Sequence, residues 1–324
     1  MLFVNRDIVE KELLMKNCID LMRKTLIEYS RREAIQVLRT AMKIGEKKIL
    51  GVMPSALTSR QVAGAKIITV FPSNYQKGLP SHQGVVVLFE TETGSLKAVV
   101  DGEAITGIRT AAVSAVATDA LAREDAHILC VMGSGLQARR HLEAISLVRK
   151  ITEVRVWDID KAAAALYAKK MQAKYGIPVY DCGGDPERAV SGADIICTVT
   201  AARQPVLFSR YVSLGAHINA VGACAAADRE LDTELVRRAR FFGDSIESVT
   251  RESGDFIIPL KEGAIGEGHL LGEVGQILSG ELPGRAAPEE ITVFEALGLA
   301  VEDLAAANYI ACRVEAKQTK GGEQ

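Results

Sequence analysis

The chain has 324 residues, 48% of them hydrophobic and 25% charged, with a formal net charge of −2. That length suits two domains, and that balance describes a globular protein rather than a disordered or fibrous one. Without a basic excess nucleic acid is not an expected partner, and without an apolar run long enough to cross a bilayer neither is a membrane.

In chain order, Leu2-Phe-Val4 reads as a short strand and residues 10–29 as an amphipathic helix, with Leu14, Cys18, Leu21, Met22 and Tyr29 at helical spacing. Residues 36–40, 48–53, 63–71, 84–90 and 97–100 read as strands punctuated by Gly, Pro and Asn, which predicts a mostly antiparallel domain. Arg39 lies near the end of the first of these. Lys66 lies inside 63–71, on the face of Ile68 and Val70. An ammonium there needs a partner or faces water from an edge strand, and both readings stand.

The small-residue run that begins at Thr110 predicts a closely packed helix with Arg109 in its first turn, where a cation opposes the helix dipole. An arginine so placed is explained by a facing anion, either a ligand carboxylate or phosphate or a surface acid such as Glu103.

From Asp125 the pattern changes to alternating strands and helices. Strands are expected at 127–132, 153–157, 194–200, 217–221, 241–242 and 291–294. Loop and helix fill 253–284, with 273–278 near the end of that segment. A final helix covers 302–313, and 317–324 reads as a polar, frayed tail.

The first strand runs into Gly133-Ser-Gly135-Leu-Gln-Ala138, and the second ends on Asp158. A strand, a glycine turn, a helix, a second strand and an acid in that order make a dinucleotide-binding βαβ unit. Gly133 permits the turn, Gly135 lets a pyrophosphate approach, and Ala138 lets helix and strand pack closely. The helix N-terminus favours the phosphates. Asp158 suits the ribose hydroxyls and Asp160 suits the cap of the next helix. No arginine follows Asp158 directly, so NAD is preferred, with NADP possible. Thr198, Thr200, Val221 and Cys224 fall at the carboxyl ends of later strands, where ligands of open α/β sheets collect.

The six cysteines (Cys18, Cys130, Cys182, Cys197, Cys224 and Cys312) form no C-x-x-C pair, and several lie in apolar runs. They read as small buried hydrophobes in a reducing compartment. Asn5-Arg-Asp7 interrupts the apolar start that a signal peptide requires, so the cytoplasm is the expected location. His82 could orient substrate or cofactor, or be a loop histidine bonded to backbone. His141 is expected to face solvent. No His, Cys and carboxylate grouping has metal-ligand spacing, and no G-x-S-x-G elbow occurs.

With these residues in place, the chain resembles the ornithine cyclodeaminase/μ-crystallin family over nearly its whole length. The resemblance rests on Val37-Leu-Arg39-Thr, Gly51-Val-Met-Pro54, Gly64-Ala-Lys66, Leu79-Pro-Ser-His-Gln-Gly84, Ile108-Arg109-Thr-Ala-Ala112, the Gly133 fingerprint, Arg229-Glu-Leu231 and Glu290-Ile-Thr-Val-Phe294. It implies an NAD(P)-binding Rossmann-type doubly wound parallel sheet over 119–298. It also implies a second, mostly antiparallel α+β substrate and dimerisation domain over 1–118, completed by 299–324, so that a homodimer is expected. By the same resemblance Arg39, Lys66 and Arg109 hold the carboxylate of an amino or imino acid, with His82 and Leu297 beside the substrate. The cofactor contacts are Ser81, Arg109, Thr110, Gly133, Gly135, Leu136, Gln137, Asp158, Thr198, Thr200, Val221 and Cys224.

One departure matters. Cyclodeaminases carry an aspartate two residues after the glycine at Gly222, and this chain has Cys224 there, with Asp228 further on. A thiol replaces neither that charge nor that base. The expected activity is therefore reduction of a small α-imino acid, cyclic or linear, such as Δ1-pyrroline-2-carboxylate, with NAD(P)H. Ornithine cyclodeamination with NAD kept bound and non-catalytic crystallin-like binding are the alternatives.

Overall fold

The computed structural model describes residues 1–46 and 48–321. The chain divides into two compact units, Met1–Arg109 with Gly298–Gln324, and Thr110–Leu297.

The first unit opens with β1 (Leu2–Val4), α1 (Arg6–Glu12) and α2 (Met15–Ser30). The helix expected over 10–29 is thus two helices. Asn5 caps α1 by accepting from the Ile8 N–H at 3.1 Å, which starts it early. The break falls between buried Leu13 and exposed Leu14. There follow β2 (Ala34–Gln36), β3 (Thr40–Gly45), β4 (Lys48–Leu57), β5 (Val62–Val70), β6 (His82–Glu90) and β7 (Leu96–Asp101). They form one sheet in the order β1-β7-β6-β5-β4-β2, with β3 also on β4, antiparallel except for β1 on β7.

The strand expected at 36–40 is a gap. β2 pairs with Ser55–Leu57 and β3 with residues 48–52 of the same long strand. Residues 37–39 step out between them, so Arg39 sits on a connector rather than a strand. Pro54 lies opposite that interruption, where a missing N–H costs least. The strand therefore runs through the proline to Leu57.

The face bearing Met53, Lys66, Val86 and Val100, which pair in a line across four strands, is buried. The C-terminal helix, Ala300–Gly321, packs on it beside α2. A Cβ at Gly64 would lie 2.0 Å from the Val87 carbonyl oxygen and 2.9 Å from a Leu304 methyl, so only glycine lets that helix pass so close. The helix continues past Arg313 to Gly321, beyond its expected end. The rest of the expected tail, 322–324, lies outside the described residues.

α3 (Gly102–Leu121) begins eight residues before the expected start. Asp101 accepts from the Ala104 N–H at 2.8 Å and caps it there. Arg109 is consequently mid-helix, and the argument from an opposed dipole does not hold.

The second unit contains β8 (Ile128–Met132), α4 (Leu136–Ile145), β9 (Glu153–Trp157), α5 (Lys161–Tyr175), β10 (Val179–Asp181), α6 (Pro186–Val190), β11 (Ile195–Thr198) and β12 (His217–Ala220). α7 (Thr233–Arg238), β13 (Arg240–Gly243), α8 (Ile246–Glu252), α9 (Gly254–Lys261), β14 (Leu270–Glu273), α10 (Val274–Leu278) and β15 (Thr292–Glu295) complete it. Its eight strands are all parallel, in the order β10-β9-β8-β11-β12-β15-β13-β14. This is the doubly wound pattern, with the order reversing between β8 and β11. Strands β11, β12 and β15 are buried along their length, as parallel strands covered on both faces must be. Strands β10 and β14 were not expected. Each is a short edge strand with no run of β-branched residues to betray it.

His141, expected at the surface, is fully buried. Its Nδ1 lies 2.8 Å from the Gln137 carbonyl oxygen and its Nε2 2.9 Å from Ser114 Oγ, and burial pushes its pKa down to about 4. Of the six cysteines four are buried, but Cys224 and Cys312 are exposed. Among the described residues no helix is long and apolar enough to cross a membrane, and no grouping of His, Cys, Asp and Glu could hold a metal ion.

Candidate functional site

In the first unit, Lys66 and Arg109 are each only 4% exposed. β5 is a central strand, which removes the edge-strand reading of Lys66. Both cations meet the start of the C-terminal helix. Arg109 Nε and Nη2 donate to the two oxygens of Asp303 at 3.0 and 3.2 Å, and Nη1 donates to Glu302 Oε2 at 2.7 Å. Lys66 Nζ donates to the same Asp303 oxygens at 3.2 and 3.3 Å. Glu103, the surface acid considered for Arg109, pairs with Arg6 instead. Arg39 reaches the group from its connector, with Nη2 donating to the Gly298 carbonyl at 3.3 Å. A Cβ at Gly298 would lie 2.8 Å from Arg109 Nη1, so the guanidinium occupies the space a side chain would need.

Burial pushes the Lys66 ammonium down to about 8; Asp303 opposes that push, while Arg109 and Arg39 add to it. A lysine so placed can both hold and release a proton near neutral pH. Ser81 precedes β6 and His82 opens it, with Ser81 Oγ 3.0 Å from His82 Nδ1. The imidazole meets solvent, and His82 is held below its ordinary pKa first by desolvation of its inner side and second by Lys66.

In the second unit, Gly133 has φ +104, and a Cβ there would lie 2.8 Å from the Val199 carbonyl oxygen, so the turn excludes any other residue. Gly135 differs. It caps α4 at φ −76, and a Cβ would meet no protein atom within 4 Å. Protein packing does not require this glycine, but a phosphate drawn to the N–H groups of Leu136 and Gln137 would. Ala138 is fully buried against the sheet. Asp158 follows β9 and is held on both oxygens. Ser134 Oγ donates to one at 2.6 Å, and the Asp160 N–H donates to the other at 2.9 Å. Asp160 in turn caps α5. The carboxylate of Asp158 is half-buried just past the end of β9. These residues fit a dinucleotide.

Thr198 ends β11, Thr200 lies two residues past its end, and Val221 follows β12 directly. A buried acid that the sequence reading did not single out, Glu230, joins these ends. Its Oε1 accepts from the Thr200 N–H and Oγ1 at 2.8 and 2.6 Å, and its Oε2 accepts from the Gly222 N–H at 2.7 Å. A Cβ at Gly222 would be 2.7 Å from that carboxylate. Asp255 holds Glu230 in place, its Oδ1 accepting from the N–H groups of Glu230 and Leu231 at 3.0 and 2.7 Å. Cys224 is exposed, its thiol 3.5 Å from the Val221 carbonyl oxygen. Thr110 is buried on α3, and Leu297 is packed in the apolar core with Val293 and Phe241.

A parallel doubly wound sheet with this glycine turn and ribose acid defines a dinucleotide-binding enzyme class. The chain belongs to the ornithine cyclodeaminase/mu-crystallin family, whose model matches residues 1–318. It is 40% identical over 277 residues to the ketimine reductase mu-crystallin of Mus musculus, covering 85% of this chain and 84% of that one. The structure of Thermococcus litoralis Δ1-pyrroline-2-carboxylate reductase, in complex with NADH and L-proline, superposes with TM-score 0.95 at 37% identity and covers 98% of both chains. An archaeal alanine dehydrogenase dimer with bound NAD superposes with TM-score 0.92 at 30% identity, covering 98% of this chain and 97% of that one.

Two outcomes follow from this geometry. Asp158→Ala is expected to weaken NADH binding roughly ten- to a hundredfold, the worth of a hydrogen bond to a charged group. Ile159→Arg added to it should raise NADPH binding, read for both nucleotides by fluorescence titration. The second concerns Asp255, pushed up to about 8 by burial first, with Glu230 adding to the push. A carboxyl raised in the folded state stabilises fully below its unfolded pKa and loses that contribution as pH rises through the folded value. The melting temperature of Asp255→Asn relative to the unaltered protein should therefore climb between pH 5 and pH 8; a difference independent of pH would contradict the assignment.

Proposed function

We propose that this chain is an NADH-dependent reductase of small α-imino acids, cyclic ketimines of the Δ1-pyrroline-2-carboxylate type above all. The observation that carries the reading is the buried cluster of the first unit. Lys66 and Arg109 pair with Asp303, Arg109 also pairs with Glu302, and Arg39 reaches the Gly298 carbonyl beside them. Cations held at fixed positions suit an anionic ligand, and the planar fork of an arginine suits an α-carboxylate. Arg39 and Arg109 bind that carboxylate, and His82 lines its approach. When bound, NADH supplies a hydride to the α-carbon while the C=N electron pair moves to nitrogen, which takes one proton, leaving the amino acid and NAD+. Lys66 donates that proton and regains one from solvent. Gly133, Gly135, Leu136, Gln137 and Asp158 hold the dinucleotide, with Ser81, Thr110, Thr198, Thr200 and Val221 as further contacts. Cys224, a thiol, stands where a cyclodeaminase needs a carboxylate, which favours reduction over deamination of ornithine.

The same reading includes a homodimer. The sheet face opposite the C-terminal helix is apolar. Phe3, Val99, Val87, Ala65 and Pro54 pair in one row across it, and Val85, Ile67 and Val52 in the next, between Asp101 and Thr40 at its ends. Phe3 is 70% and Ile67 38% exposed. A continuous apolar sheet face is a site of association, and a second copy of the same face is a self-complementary partner.

Oxidation of NADH by Δ1-pyrroline- or Δ1-piperideine-2-carboxylate is the direct assay, and failure with both would sink the reductase reading. Arg109→Lys, which gives up the planar fork, should lower kcat/KM roughly ten- to a hundredfold. Ile67→Asp with Val85→Asp should convert a dimer to a monomer in sedimentation without changing the circular dichroism; an unchanged sedimentation coefficient would remove the sheet face as the interface.

A further inference from the structure

The cation cluster is organised by one carboxylate that neither the fingerprint motifs nor the carboxylate-clamp reading assigns. Asp303 spends both oxygens twice. Each accepts from the Arg109 guanidinium and each accepts from Lys66 Nζ, and its side chain has no exposure to solvent. Glu302, its neighbour, touches only the arginine of these two, through Nη1.

We propose that Asp303 is a positioning residue that divides the labour between the two cations: it fixes the plane of Arg109 as a carboxylate receptor and keeps Lys66 charged as the proton donor to the imine nitrogen. This rests on the reductase reading above. The physical basis is an asymmetry. A guanidinium does not lose its proton in a protein, so an anion beside it sets orientation alone. An ammonium buried beside two guanidinium groups is easily neutralised, so the same anion sets its charge. The other groups that bear on Lys66 do not replace Asp303. Arg109 on α3 and Arg39 on the connector both push it toward neutrality. His82, at the start of β6, is itself held below its ordinary pKa, largely by desolvation and partly by Lys66. Cys18 on α2, fully buried and facing Arg109, Glu302 and Asp303, is kept a neutral thiol by burial. Across the sheet Lys66 pairs with Met53 and Val86, which carry no charge.

The proton inventory closes. Lys66 gives one proton to the nitrogen that has received the C=N electron pair, becomes a neutral amine, and is reprotonated from water. In the oxidative direction the neutral amine takes the proton back.

The test is the pH dependence of kcat for NADH-driven reduction, in the full-length protein and in Asp303→Asn, Asp303→Glu and Lys66→Arg. Reduction needs the ammonium, so the unaltered rate should fall above a break set by Lys66. Asp303→Asn should move that break roughly one unit toward acid, and proline oxidation should start at correspondingly lower pH. Asp303→Glu keeps the charge with displaced geometry. It should hold the break in place while raising KM for the imino acid, and it answers the question if the asparagine variant does not fold. Lys66→Arg should abolish the break. A uniform loss of kcat in Asp303→Asn with no movement of the break would reduce Asp303 to a structural role and overturn the proposal, as would a break that survives in Lys66→Arg. Neither result would touch the reductase reading, which fails only if the unaltered protein oxidises NADH with neither Δ1-pyrroline- nor Δ1-piperideine-2-carboxylate. In that event NMR titration of the isotopically labelled Lys66 ammonium, with and without Asp303→Asn, still decides whether the carboxylate governs its charge.

Discussion

Burying a charge is the most expensive thing a fold can do, and the first unit of this protein buries four together. Lys66 and Arg109 come from a central strand and a mid-helix position, Glu302 and Asp303 from the first turn of the last helix. No one of them could remain there alone. Removing one partner of a buried pair typically costs several kcal/mol, whereas the intact group can come near break-even. Such a group is a poor device for stability and a good one for geometry. Its members lie at hydrogen-bond distances of 2.7 to 3.3 Å. The close passage of the last helix over Gly64, and of the guanidinium over Gly298, are the local concessions that let the acids reach the cations.

The second unit solves a different problem with similar means. Backbone N–H groups at the ends of β11 and β12 have no strand to bond to. Glu230 collects three donors there, and Asp255 fixes Glu230 from below. Burial raises the pKa of both carboxylates, and Glu230 adds to the rise at Asp255. The backbone bonds they accept offset part of that cost. The result is a rigid floor at the carboxyl ends of the strands, where this class of sheet binds its ligands.

How much of this could be read from the residues depends on whether the signal is local. The glycine turn, Asp158 and the alternation of strands with helices are contiguous in the sequence, and the parallel sheet followed from them. Period-two spacing placed Lys66 on the correct face of β5, but spacing alone could not say that β5 is central and its inner face covered. Arg109 was misplaced within its helix because the small-residue run drew attention past the Asp101 cap. The position of Arg39 failed for a topological reason, since two strands share one partner and the connector between them carries no mark of that. Glu302 and Asp303 lie almost two hundred residues from Arg109. At the start of an alanine-rich helix they read as ordinary dipole-complementing acids. His141 was hidden by its neighbours Arg139 and Arg140, which suggest a wet face.

The first unit is discontinuous: its sheet and cations are encoded before residue 110, its acids after residue 297. On the ribosome the cationic strand and helix emerge long before the carboxylates that neutralise them. The intervening doubly wound unit is contiguous and can mature in the meantime. Lys66 and Arg109 can therefore meet their acids only after residues 302 and 303 have been made. A chain lacking that helix would keep the glycine turn and Asp158 and lose the acids that hold Lys66 and Arg109.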